Sequence, residues 1–180
     1  HESTRRQRQM CIRDSNITGG NKTIRSLTKS LVEYCADKLK LNDTILLDIE
    51  FSKTLYKEDG ILGEVDFDDN NHRPKEFTMT VDSTVSKRRM METIAHEMVH
   101  VKQYAKGELV DLSRCGSTRW QNNLIDSATN YWDLPWEIEA HGKELGLFIR
   151  WAEENKLGKY AWTQEKYLSL IHISEPTRPD

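Results

Sequence analysis

The sequence predicts an α+β fold in one domain, on three observations. Three long stretches repeat apolar residues every three or four positions, as helices with one buried face do. Three shorter stretches, all between the first and second helical ones, are rich in branched and aromatic residues. One of these alternates strictly between apolar and polar residues. The expected order is an N-terminal helix, three strands in a mostly antiparallel sheet, a second helix, a long loop and a C-terminal helix.

From Lys22 to Leu41, Ile24, Leu27, Leu31, Cys35 and Leu39 recur at helical spacing, with Arg25, Lys29, Glu33, Asp37 and Lys40 between them. Thr44 to Phe51 is short and rich in branched residues, which suits a strand. A polar loop containing Asp59-Gly60 leads to a second strand, Ile61 to Phe67, and Asp68-Asp69-Asn70-Asn71 signals a turn. In Glu76 to Asp82, Phe77, Met79 and Val81 alternate with Thr78 and Thr80, so one face is buried and the other wet. Val85 to Lys106 lacks Pro and Gly; Met91, Ile94, Ala95, Met98, Val101 and Ala105 form its buried stripe, and Ser83 or Ser86 caps it. Glu108 to Pro135 reads as a long irregular stretch, a length that in compact domains accompanies function or flexibility. Pro135 suits the first turn of a last helix reaching about Glu154.

Both ends stand apart from this pattern. Residues 5–15 (RRQRQMCIRDS) and 168–180 (LSLIHISEPTRPD) resemble translated adapter sequence from transposon-based DNA library preparation, on a reading frame taken from an environmental read. Residues 1–15 and 168–180 are therefore expected to be artefactual and disordered. Taken as native, they would be a basic arm and a Pro-containing tail, solvated all the same. The 152 residues from 16 to 167 suffice for one core. Their net charge near −4, with Lys87-Arg88-Arg89 a short basic run free of aromatics, argues against strong nucleic-acid binding. Cys35 and Cys115 give neither a disulfide framework nor a Cys-x-x-Cys pair, which points to a reducing, cytoplasmic setting. No apolar run reaches the roughly 18 residues that a membrane span requires. A monomer is expected.

Chemistry concentrates in Thr93-Ile94-Ala95-His96-Glu97-Met98-Val99-His100. Two histidines four apart stack on one helix face, and Glu97 sits at its edge, the geometry two imidazoles need to share a metal ion. At about 100° per residue, Thr93, His96, His100 and Gln103 lie opposite the buried stripe. A catalytic zinc takes three protein ligands and keeps a fourth position open. The last helix offers Glu137, Glu139 and His141. Glu137 shares a quadrant with His141, Leu145, Phe148 and Ala152, whereas Glu139 shares its face with Lys143, Gly146 and Arg150. Glu137 is thus expected on the buried side as the ligand, because an unpaired carboxylate there would be costly, and Glu139 on the solvated side. His141 can orient Glu137, stabilise an oxyanion or replace Glu137 as ligand. Glu144 shares the same face, either beside the ligands or half exposed.

The run Thr93 to Gln103 (TIAHEMVHVKQ), followed by Trp120 and then Pro135-Trp136-Glu137-Ile138-Glu139-Ala140, resembles small phage and bacterial zinc metallopeptidases of the minimal gluzincin kind, often labelled SprT-like. The resemblance covers most of residues 77–152. It implies a zincin-like fold, a Zn2+ cofactor and a peptide or protein substrate, in the host cytoplasm if the chain is phage-encoded. In gluzincins the third ligand is the first glutamate of a Glu-x-x-x-Asp pattern on a later helix. That places Glu137 as ligand, with His141 where many gluzincins carry aspartate; SprT proteins proper use a histidine as third ligand. The family also places a substrate-pairing strand at the cleft edge, here Glu76 to Asp82.

On this basis Glu97 is the expected general base. Tyr131, Arg119 and Tyr104 are candidates for oxyanion or substrate contact, and Tyr131 and His141 join Glu97 as expected catalytic residues. Two further functions stay open: a non-catalytic zinc site joining two helices, with Cys115 or His72 as an extra ligand, and an SprT-like protease acting on DNA-bound proteins. Trp120, Trp132, Trp136, Trp151 and Trp162 are expected to pack the domain or to wall the cleft.

Overall fold

The computed structural model describes residues 12–14, 16–41, 45–67, 72–112 and 116–164. Apolar alternation builds its main sheet. In β3 (Ile45–Ser52) every second residue, from Ile45 to Phe51, is buried, as are Phe77, Met79 and Val81 of β5 (Glu76–Asp82). These two strands pair in parallel, from Leu46 opposite Glu76 to Ser52 opposite Asp82. β4 (Gly63–Phe67) runs antiparallel to β5 and ends the sheet on that side. β1 (Ile12–Asp14) and β2 (Ile17–Thr18) pair in parallel with β3 on its other side.

The sheet is therefore five-stranded and largely parallel, which corrects the expected three-stranded, mostly antiparallel arrangement. The reason lies between β3 and β4, where a short helix, α2 (Leu55–Asp59), replaces a plain loop. It carries the chain past the place that β5 later fills, so β4 never pairs with β3. Ile12–Asp14 falls in the stretch expected to be disordered, yet its backbone is drawn into the sheet. The rest of residues 1–15, residues 168–180, the turn at 68–71 and Cys115 lie outside the described residues.

Helices cover one face of the sheet. α1 (Lys22–Lys38) starts at Asn21, whose side chain accepts from the Ile24 N–H at 3.0 Å. α3 (Lys87–Ala105) starts at Ser86, whose hydroxyl accepts from the Arg89 N–H at 3.3 Å, so Ser86 and not Ser83 is the cap. α4 (Pro135–Glu154) begins at its proline. Leu31, Leu47, Ile49, Met79, Met91, Ile94, Met98 and Trp151 are enclosed in the core between sheet and helices. The far side of α3 is covered as well, by α4, so that His96, Glu97, Lys102 and Gln103 are also buried. No helix among the described residues is long and apolar enough to cross a membrane.

The stretch from Glu108 to Pro135 is not irregular. β6 (Leu109–Leu112), β7 (Ser117–Trp120) and β8 (Asn123–Asp126) form an antiparallel meander, followed by a 3-10 turn at Tyr131–Asp133. Four-residue strands are too short for alternation to register, and the side chains of β7 and β8 are half-buried or exposed.

Asp82 closes β5 and turns the chain toward α3. Fully buried, it accepts from the Tyr56 N–H at 2.8 Å, the Thr84 N–H at 2.7 Å and the Thr84 hydroxyl. Burial pushes its carboxyl up, but these donors overcome burial and hold it below the usual carboxylate range. A depressed value in the folded state means that the carboxylate stabilises the fold above about pH 4, the unfolded value, and loses that contribution as the pH falls below it. Asp82→Asn is expected to cost about 2 kcal/mol at neutral pH. Urea midpoints of the variant and wild type should converge below about pH 4.

Candidate metal centre

α3 and α4 cross so that one carboxylate meets two imidazoles. His96 Nε2 lies 3.0 Å from His100 Nε2, Glu137 Oε2 lies 3.4 Å from His96 Nε2, and Glu137 Oε1 lies 3.6 Å from His100 Nε2. These three residues form a group that could hold a metal ion. Their separations bracket the edge of about 3.4 Å for a tetrahedron with bonds near 2.1 Å. No fourth His, Cys, Asp or Glu joins the group among the described residues; His72 is exposed and belongs to no such group.

Hydrogen bonding behind the imidazoles fixes which nitrogen each presents. His96 Nδ1 donates to Glu144 Oε2 at 2.7 Å. Behind His100 stands Gln103, fully buried, whose amide nitrogen donates to the Trp136 carbonyl at 3.0 Å and to Glu139 Oε2 at 2.9 Å. Both amide hydrogens are thus used, so Gln103 Oε1 faces His100 and accepts from its Nδ1 at 2.8 Å. Each histidine thus presents its Nε2, and the two Nε2 atoms face each other beside a carboxylate. A cation suits that donor set, and imidazole backed by a hydrogen-bonded partner is how metal-ligating histidines are usually oriented.

The electrostatics agree. Burial works against protonating His96, but Glu137 and Glu144 outweigh it and push its value up to about 10. His100 is likewise raised, with Glu137 and Glu97 overcoming burial. Burial works against ionising Glu137, yet His100, His96 and the Tyr131 hydroxyl hold it far below the carboxylate range. Glu144 is held at about 2 by His141 and His96 in spite of burial. The site therefore holds its carboxylates ionised against the imidazoles and favours positive charge placed between them.

Glu139 does not lie on a solvated face, as its helical position suggested. It sits between the helices, accepting from Lys102 Nζ at 2.8 Å, from Gln103 and from Lys143 Nζ. Burial would raise it, but these donors bring it down to about 2. Gln103 thus ties His100 to an anchored carboxylate on α4. Gln103→Leu is expected to weaken metal binding by about 10- to 100-fold, measured by titration against a chelator.

Glu97 stands beside the ligand group without belonging to it. It is buried, and burial raises its carboxyl against the lowering effect of His100 and His96. Gly63 of β4 lies directly over it: a methyl at Gly63 would come within 2.5 Å of Thr93 Cγ2 and 2.8 Å of Glu97 Oε1. Only a glycine permits this approach. The cleft above the group has a volume of about 390 Å³, with β4 on one side and Tyr131, Trp132, Trp136 and His141 on the other. Its edge strand is β4. β5, expected in that place, is paired on both sides and has no edge to offer.

Tyr131 donates to Glu137 Oε2 at 2.8 Å and lies 3.2 Å from His141 Nε2. Burial and the neighbouring Glu137 raise its hydroxyl well above the usual tyrosine value, so it stays protonated. His141 Nδ1 is 3.4 Å from Glu144, and its ring packs against both His96 and Trp132. His96, His141 and Glu144 make a second group that could hold a metal ion, but its carboxylate already accepts from His96 Nδ1. Tyr104 lines the cleft, its hydroxyl pushed up to about 12 by burial; Arg119 does not line it. The tryptophans divide: Trp132 and Trp136 wall the cleft, while Trp151 and Trp162 pack with Phe148. Gln103 and Gly63 had no assigned role in the sequence, and Glu144, expected either beside the ligands or half exposed, stands behind His96. The signals were a third-residue spacing from His100 for Gln103, a lone glycine in a strand for Gly63, and a seventh-residue spacing from Glu137 for Glu144.

Comparison of the chain with protein-family models, with curated proteins and with solved structures finds no match.

Proposed function

We propose that the protein is a zinc-dependent peptidase of the gluzincin type. The observation that carries this is the meeting of His96, His100 and Glu137 in a cleft that also holds Glu97 and β4, an edge strand among the described residues. Two imidazoles and one carboxylate, with no fourth His, Cys, Asp or Glu joining them among the described residues, match the ligand set of a catalytic zinc site. Bound there, zinc supplies Lewis acidity toward water and toward the scissile carbonyl.

The remaining work falls to the chain. Glu97, buried and raised by burial, takes the proton from the attacking water and delivers it to the leaving amine. Tyr131, held protonated, turns its hydroxyl hydrogen from Glu137 to the developing oxyanion, with His141 beside it as a second donor. The substrate backbone pairs with the outer edge of β4, as an added strand does. Trp132 and Trp136 cover the opposite side.

The test is elemental zinc content of the purified chain together with hydrolysis of an unfolded protein, before and after chelation. One zinc per chain, and hydrolysis that is lost on chelation and restored by zinc, is the expected result. A chain that binds zinc fully but cuts no peptide would turn the site into a purely structural one.

A further inference from the structure

We infer that the cleft is built for a peptide bearing a carboxylate on the C-terminal side of the scissile bond, and that Arg89 reads it. This rests on the peptidase reading above. Along α3, Arg89, Thr93, His96, Glu97, His100 and Tyr104 follow one face and all line the cleft. The two ends of that row differ. Near Tyr104 the walls are Leu109 and Trp136, apolar and aromatic. At the other end stands Arg89, the only lysine or arginine among the described lining residues, in a cleft whose other fixed charges are Glu64, Glu97, Glu137 and Glu144.

Arg89 has one long ion pair, with Glu92, and no hydrogen bond holds its guanidinium among the described residues. Its guanidinium comes no closer than 3.8 Å to Glu92, beyond hydrogen-bond reach. Glu92 already accepts from Arg88 Nε at 2.7 Å. The Arg89 side chain remains 43% exposed where that of Arg88 is 11% exposed. A planar fork of donors at a cleft wall matches a carboxylate, which accepts two parallel hydrogen bonds.

Strand direction decides which side of the substrate meets it. Gly63 lies over Thr93 and Glu97, while the Phe67 ring packs on Tyr104 at 4.8 Å. β4 therefore runs from the middle of α3 toward its C-terminal end. A substrate strand antiparallel to β4 runs the other way, so the residues after the scissile bond head toward Arg89. Arg89 and His96 are seven helical steps apart, about 10.5 Å along the axis. An extended peptide advances roughly 3.4 Å per residue. A carboxylate one to three residues past the bond comes within reach, whether from a Glu side chain or from a chain end.

The test measures binding to the zinc-loaded Glu97→Gln chain, which holds peptide without cutting it. Fluorescein-labelled peptides of one sequence carry Glu, Gln or Lys at each of the three positions after the target bond. A second set ends within three residues of that bond, with a free or an amidated terminus. At one position Glu should bind about tenfold tighter than Gln, and Lys more weakly than both. Adding Arg89→Ala should bring the Glu-to-Gln ratio near one, and Arg89→Glu should reverse the order in favour of Lys. A preference for the free terminus that disappears on amidation and in Arg89→Ala would assign the chain end as the group read. Equal binding of Glu, Gln and Lys peptides, or a Glu preference that survives Arg89→Glu, overturns the assignment. Wild-type hydrolysis of the same peptides is scored separately. Charge-selective binding without cutting would sink the peptidase reading alone, cutting without charge preference would sink the Arg89 assignment alone, and no binding of any peptide would sink both.

Discussion

Glu97→Gln is expected to cut hydrolysis of an unfolded protein by about 10²- to 10⁴-fold while zinc stays at one per chain. Glutamine keeps the shape that Gly63 and Thr93 enclose, so packing should survive. What disappears is the ability to take a proton. Because Glu97 lies outside the His96–His100–Glu137 group, the metal should not notice the change. Initial rates and zinc content, measured on one preparation, separate the outcomes. Retained hydrolysis would remove Glu97 as general base, and loss of zinc would make it a ligand.

Glu137→Ala is expected to weaken zinc binding by more than about a hundredfold, beyond the effect of losing a partner behind a ligand. The two Nε2 atoms would remain 3.0 Å apart with no anion beside them, and the Tyr131 hydroxyl would lose its acceptor. Because zinc stabilises only the state that binds it, the rise in melting temperature on adding zinc should shrink in the variant. A variant that keeps full affinity would hand the third position to His141 or Glu144.

Much of the helical framework could be read from spacing alone. The stripe from Met91 to Ala105 is long and strictly periodic, and every one of its six members is buried. Glu137 shares the buried side of α4 with Phe148 and Ala152, as rotation about one axis suggests. Glu139 shows the limit of that method. One helix considered by itself cannot report that Lys102 and Gln103 of a neighbour reach over to it. Strand order was hidden for a similar reason. Alternation tells which way side chains point and is silent on pairing partners, so α2 and the resulting position of β5 between β3 and β4 left no trace in the pattern. The meander from β6 to β8 is made of pieces too short to carry a period.

The candidate ligands come from two helices that are distant in sequence: α3 supplies two and α4 the last, after the whole meander has been made. During synthesis on the ribosome, His96 and His100 emerge well before Glu137. A half-built chain therefore has an incomplete ligand set and no Trp132–Trp136 wall. Cutting power would arise only when α4 docks, together with the network of Gln103, Glu139 and Lys102 that joins it to α3. On the proposed reading, a peptidase assembled in this order would be harmless to its own nascent copies, because the step that completes the core would also be the step that arms it.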